Sequence, residues 1–417
     1  MMKICLVSDR LPGFHRPWSG AELICWRLSQ MLRESGQKVF LLTTCFTEKK
    51  ESPEWISTVE LPLQKAGPLL TLLVFDPLAT LNCYQILKRK KPDIVHLHAV
   101  GLFLPALIAA KALQIPTVIT VLDHLIFCPY VSLRKPDGSI CTTYHGIQCS
   151  DCGRPTRNPI RILARQIGGC WRSVIYDYFV RRLDGIIVLS KTSKLRLERY
   201  GIPGDRIRVI YHYRVDSNAN VRKEIPTPGM GGCILFVGWL NELRGLHVVI
   251  QAMQQVIEKV PEAALIVVGS EEDIHYATRI REMVAELGLE GRVRLLGSRP
   301  NEEVISLMLE SNVVVVPLQW PNEFGPMILV EAMSLAKSVV ASKIGAIPEL
   351  IQDGFNGFLA VHDSPGQFAE KMIWLLKNPE LAKTMGEQAK KSVQRLYEND
   401  PTKEILDLYR SVATGSQ

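Results

Sequence analysis

Short runs of β-branched and aliphatic residues recur along this chain, separated by stretches whose apolar positions have helical spacing. Lys3 to Val7, Val39 to Thr43, Ile94 to Leu97, Thr117 to Val121, Gly185 to Leu189 and Arg208 to Ile210 read as strands of one sheet. A second series follows at Cys233 to Val237, Ala264 to Val268, Arg292 to Leu295, Asn312 to Val316, Ser338 to Ala341 and Gly357 to Ala360. Strands that are apolar throughout are buried on both faces, as in parallel sheets covered by helices. After Asp216 the chain turns polar and rich in Pro and Gly, through Pro226-Thr227-Pro228-Gly229-Met230-Gly231-Gly232, which reads as a linker. The expected fold class is therefore α/β with two Rossmann-like domains, 1–215 and 233–400, joined by 216–232.

Size agrees with this division. The 417 residues are too many for one ordinary core and suit two domains of about 200 residues each. A composition 47% hydrophobic and 22% charged is that of a globular protein and argues against disorder. The opening apolar run, Ile4 to Val7, is too brief for a signal peptide. The apolar stretches near Leu69 and Leu102 are broken by Asp76 and Pro77 and by Pro105 and Lys111, short of the roughly 18 residues of a membrane span. A cytoplasmic protein is the expectation.

The net charge of +7 is unevenly spread. Arg154, Arg157, Arg161, Arg165, Arg172, Arg181 and Arg182 share one segment with Ile160, Leu163, Ile167, Trp171, Val174, Tyr178 and Phe179. That pattern predicts a basic amphipathic helix or helix pair. It reads either as an internal helix with a solvated arginine face or as one lying on an anionic membrane surface at the inner face of the membrane. No nucleic-acid motif accompanies it, so no nucleic acid is expected as a partner.

The chemistry concentrates in Asn322 to Glu331, which opens a helix. Glu323 stands in the loop before the helix, Phe324-Gly325-Pro326 form a turn into Met327, and Glu331 follows among Ile328, Leu329, Val330, Ala332 and Met333. Carboxylates accept from paired sugar hydroxyls, and the open amides of a helix N-terminus attract phosphate. A carboxylate on an otherwise apolar helix has little solvent to face and needs partners. The segment reads as a nucleotide-sugar clamp, against the plainer reading of a dipole partner and a solvated helix residue. Gly20, Gly238 and Gly269 lie just after strands or at a helix start, where a missing side chain lets a ligand approach the backbone. Gly269-Ser270 and Gly297-Ser298-Arg299 end at the carboxyl edge of the second sheet, where open α/β folds bind ligands.

Ten cysteines in a chain of this length do not suggest a disulfide framework. Cys5, Cys25, Cys45, Cys83 and Cys233 are expected as small core residues. Cys128, Cys141, Cys149 and Cys152 stand together in a turn-rich stretch that ends in a C-x2-C pair. Four thiolates there make a structural zinc site, and a reduced, metal-free loop is the equal alternative.

Glu323 and Glu331, with seven residues between them and followed by Ala332-Met333, resemble the E-x7-E signature of glycosyltransferase family 4, whose members are retaining enzymes of the GT-B fold. The resemblance continues through Val339 to Leu359 and covers nearly the whole chain. It implies that the two domains face one another across a cleft, that the first takes the acceptor and the second the nucleotide sugar, and that 401–417 packs back on the first domain. It assigns Glu323 to the sugar hydroxyls, Glu331 to the ribose diol, Phe324, Gly325, Pro326 and Met327 to the sugar-phosphate, and Arg244 to the diphosphate. Gly20 and Arg299 join Gly238 and Gly269 as substrate-binding residues.

Two departures from the pattern stand out. Trp239 occupies the place of a first cation, for which Lys343 or Arg299 would have to substitute. Leu122 occupies the place of a histidine, for which His124, two residues on, is the substitute. Some members carry a similar cysteine-bearing insertion. The expected activity is transfer of a hexosyl unit from a nucleoside diphosphate sugar to a glycan or lipid-linked acceptor in cell-surface polysaccharide synthesis, with no cofactor needed for catalysis. The alternative is a nucleotide-sugar-binding scaffold subunit of low activity.

Overall fold

The computed structural model describes residues 1–15, 20–45, 53–61, 76–98, 101–122, 128, 135, 139, 141, 163, 174–211, 232–320 and 327–414. The chain divides into two compact units, Met1–Tyr213 with Asn399–Gln417, and Arg214–Glu398.

In the first unit the elements run β1 (Lys3–Val7), α1 (Gly20–Glu34), β2 (Lys38–Thr44), β3 (Ile56–Val59), α2 (Pro77–Lys90), β4 (Ile94–Leu97), α3 (Phe103–Ala112), β5 (Thr117–Thr120), α4 (174–180), β6 (Gly185–Val188), α5 (Lys191–Arg199) and β7 (Ile207–Val209). The second unit holds β8 (Gly232–Val237), α6 (Leu246–Lys259), β9 (Ala263–Val268), α7 (Ile274–Glu286), β10 (Val293–Leu295), α8 (Asn301–Glu310), β11 (Val313–Val316), α9 (Met327–Ser334), β12 (Ser338–Ser342), α10 (Ile347–Leu350), β13 (Phe358–Ala360), α11 (Pro365–Lys377) and α12 (Pro379–Leu396). The last helix, α13 (Pro401–Thr414), belongs to the first unit.

Both sheets are parallel, in the orders β3-β2-β1-β4-β5-β6-β7 and β10-β9-β8-β11-β12-β13. Each reverses direction beside its first strand, between β1 and β4 and between β8 and β11, the switch at which doubly wound sheets bind ligands. The strands β4, β5, β6, β9, β11 and β12 are buried at every position, which explains their unbroken apolar sequence. β3 has no such run, Ile56-Ser57-Thr58-Val59, and only its pairing with β2 makes it a strand.

Local chemistry sets several boundaries. Asp76 accepts from the amides of Leu78 and Ala79 at 3.0 Å and Pro77 opens α2, while Lys91 closes it in the left-handed region. The helix α13 is held to the first sheet by buried Ile405, Leu406, Leu408 and Tyr409. A Cβ on Gly185 of β6 would lie 3.2 Å from Leu408 and 3.4 Å from Val412, so the close approach of α13 uses a glycine. The Tyr409 hydroxyl meets His96 Nδ1 at 2.5 Å, and His96 Nε2 meets Thr120 Oγ1 at 2.8 Å.

Cys5, Cys25, Cys83 and Cys233 are core residues, but Cys45 is exposed. It lies one position past the end of β2, where the chain leaves the sheet. Among the described residues no helix is long and apolar enough to cross a membrane. The segment proposed as a linker lies outside the described residues from 216 to 231, and so does most of the arginine-rich segment.

Candidate active site

The carboxyl edge of the second sheet is built from glycine contacts. Gly238 follows β8, and its amide donates to Val268 O at 2.9 Å. Gly269 follows β9, and its amide donates to Gly297 O at 3.1 Å. A Cβ on Gly269 would fall 1.7 Å from Gly238 O, so these two loops touch backbone to backbone. Gly245 at φ +72° does the same against the loop after β11, where a Cβ would fall 1.8 Å from Pro317 O. Gln319 closes the row: its amide donates to Leu243 O at 2.9 Å and its side chain donates to Pro317 O and His362 O. The ends of β8, β9, β10, β11 and β13 thereby form one continuous rim.

Arg244 sits on this rim. The Asn241 side chain accepts from the Arg244 amide at 3.1 Å and starts a single 3-10 turn, Glu242–Arg244, which Gly245 ends in the left-handed region. A Cβ on Gly238 would lie 3.8 Å from Arg244 Cδ, so the arginine stem runs beside the first glycine of the rim. Its guanidinium offers the planar fork that binds phosphate oxygens in pairs.

Two further residues hold the start of α6. Tyr276 of α7 accepts from the His247 amide at 3.1 Å, and its hydroxyl meets His247 Nδ1 at 2.9 Å. Burial, then the nearby Arg279 guanidinium, lower the His247 imidazole below its ordinary value, and burial raises the Tyr276 phenol to about 12. Both groups are thus neutral near pH 7 and share one hydrogen bond between the phenol oxygen and Nδ1. Neither residue was found by sequence reasoning, because the pair joins two helices 29 positions apart.

Glu331 lies in α9 and is only 9% exposed, among buried Leu329, Val330, Ala332 and Met333. Met327 is the first residue of that helix, and no acidic residue stands in its first turn to compete with an anion. Arg299 lies two residues beyond Gly297, exposed and 4.0 Å from Glu303. Lys343 follows β12 and is exposed. Trp239 is 40% exposed between Gly238 and buried Leu240.

Glu323, Phe324, Gly325 and Pro326 lie outside the described residues. So does His124, whereas Leu122 is half-buried two positions past β5. Gly20 is the first residue of α1. At the carboxyl edge of the first sheet the Asp9 carboxylate accepts from the amides of Gly101 at 2.7 Å and Leu102 at 2.8 Å, closing the entry to α3 with a charge of its own. Cys128 and Cys141 are buried, while Cys149 and Cys152 lie outside the described residues.

Comparison with known proteins matches both halves. Residues 217–392 match the family model described as Glycosyl transferases group 1, and 18–213 match Glycosyltransferase Family 4. A D-inositol 3-phosphate glycosyltransferase of Corynebacterium urealyticum is 30% identical over 199 residues, 47% of this chain and 46% of that protein. An uncharacterized glycosyltransferase of Methanocaldococcus jannaschii is 24% identical across 98% of both chains. With the former and most curated relatives like it, the match spans about half of the relative's length. Among solved structures, Anabaena HepE in complex with UDP-glucose superposes with a TM-score of 0.68 at 18% identity, covering 100% of this chain and 99% of that one.

Proposed function

We propose, from the premise that this chain belongs to glycosyltransferase family 4, that it transfers a hexosyl unit from a nucleoside diphosphate sugar to a glycan or lipid-linked acceptor in cell-surface polysaccharide synthesis. The observation that carries the reading is the glycine-built rim of the second sheet, with Arg244 running beside Gly238 and the buried carboxylate of Glu331 on α9. HepE, bound to UDP-glucose, supports a nucleotide-sugar donor for a protein of this fold.

In this reading Arg244 neutralises the diphosphate as its charge grows, which is where a preorganised cation lowers a barrier. Glu331 accepts from the ribose diol. Glu323, assigned by the family signature, holds the sugar hydroxyls, with Phe324, Gly325, Pro326 and Met327 around the sugar-phosphate. The bond from the anomeric carbon to the leaving phosphate breaks while a bond to the acceptor oxygen forms on the same face. The acceptor proton passes to the leaving phosphate oxygen, so no side-chain base and no metal ion is required.

A working place at an anionic membrane surface is part of the proposal. Val174 and Tyr178 of α4 are exposed, and the Arg182 guanidinium lies 3.5 Å from the centre of the Tyr178 ring, pairing an apolar and a cationic face. Flotation with vesicles should show binding that rises with phosphatidylglycerol content and falls in Arg181→Glu/Arg182→Glu. Binding unaffected by either change would sink this part.

The test of the activity is a panel of UDP-, GDP-, ADP- and TDP-sugars, read by thermal shift and by hydrolysis of the donor. One donor should raise the melting temperature and be slowly hydrolysed. Both effects should disappear in Glu331→Gln and Glu323→Gln, and hydrolysis should fall about a hundredfold or more in Arg244→Ala. Donor binding without turnover, acceptors included, would point instead to a scaffold subunit, a reading to which Trp239 and Leu122 lend some support.

A further inference from the structure

Trp239 occupies a defined place on the rim. The parallel ladder between β8 and β9 continues past both strands, since the Gly238 amide donates to Val268 O and the Leu240 amide to Ser270 O, each at 2.9 Å. The Asn241 amide donates back to Trp239 O at 3.0 Å. The segment after β8 therefore stays bonded to the end of β9 on both sides of Trp239 while it bends at Gly238 and Leu240. Phe236 and Leu240 both enter the core beneath α6, α7 and α11. An indole whose backbone is fixed at three points, yet 40% exposed at the switch between β8 and β11, is held in place without being used by the core.

The chemistry of that side chain narrows what it meets. Indole has a flat apolar face and a single uncharged N–H donor, and it does not balance a phosphate. The phosphate chemistry belongs to Arg244, whose stem runs beside Gly238. A pyranose presents the matching surface: an apolar C–H face with its hydroxyls at the rim. We propose that Trp239 stacks on the C–H face of a pyranose ring, the donor's sugar or the acceptor's. This rests on the transferase reading of the same rim.

Trp239→Ala and Trp239→Phe serve as the test, since an exposed side chain can be changed without emptying the core. Calorimetry compares UDP-glucose, UDP-N-acetylglucosamine, ADP-glucose and GDP-mannose, each with its own sugar-free nucleotide. Maltotriose and mannotriose are titrated against the fluorescence difference between wild type and Trp239→Phe. If the donor's sugar is stacked, Trp239→Ala loses roughly five- to tenfold in affinity for the sugar nucleotide, keeps its affinity for the bare nucleotide, and Trp239→Phe recovers most of the loss. If the acceptor's sugar is stacked, nucleotide binding is unchanged and saccharide binding falls by the same factor. Equal weakening of UDP and UDP-glucose puts the indole on the nucleotide and overturns the proposal, as does no change in either arm. A wild-type chain that binds saccharide but no nucleotide refutes the transferase reading while leaving the stacked ring in place.

Discussion

At the scale of single residues, the rim depends on glycines for two separable reasons. At Gly269 the constraint is space: any Cβ would meet Gly238 O at 1.7 Å. At Gly245 a positive φ of 72° is added to a contact of 1.8 Å with Pro317 O. Gly269→Ala and Gly245→Ala should each cost roughly 2–3 kcal/mol, because the colliding atoms are backbone and cannot swing aside. Urea unfolding would measure this, and a loss under about 0.5 kcal/mol would show that the loops part easily. Sequence reasoning picked out Gly238 and Gly269 from their place after strands. It did not give Gly245 this role, because the partner, Pro317, comes from a loop 72 positions away. Cys45 was misplaced because its residue type alone was taken to favour the core, although it follows the end of the strand read as Val39 to Thr43.

At the scale of elements, the tie between α6 and α7 has a pH signature. His247 is held neutral in the fold, below its ordinary value of 6.5, by burial and by Arg279, with Glu242 opposing. The unfolded chain therefore binds more protons as pH falls below about 6.5, and the stability contributed by this tie declines from there toward the lowered folded value. Melting temperature should drop between pH 7.5 and 5.5, and the drop should be smaller in His247→Gln. Equal pH dependence in the two proteins would remove His247 from the account. Tyr276→Phe should destabilise at both pH values by about 1–3 kcal/mol, since it strips the partner from the His247 amide and from Nδ1. The strands of both sheets were legible to within a residue or two, because burial on both faces leaves continuous apolar runs. β3 was not, since it is a strand only through its neighbour β2.

At the scale of the whole molecule, the chain returns to its first unit at the end. Tyr409 is fully buried, bonded to His96, and adjoined by Ile405 and Leu408 in the first core. Tyr409→Ala should destabilise the first unit by about 3–5 kcal/mol, and Tyr409→Phe by about 1–2 kcal/mol through the lost hydroxyl contact. Hydrogen exchange resolved by segment would show the loss in β4, β5 and β6 and leave β8 to β13 protected as before. Uniform loss across both sheets would mean that the two units unfold as one.

The sequence by itself determined the α/β class, the parallel character of both sheets and the likeness to glycosyltransferase family 4. These follow from local pattern and from a motif contained in ten consecutive residues. Tertiary structure alone decided that Gly245 meets Pro317, that Tyr276 caps α6 and that Asp9 closes the entry to α3. Each of these is a contact between segments remote in sequence. Such contacts depend on strand order and register, and no local pattern encodes them.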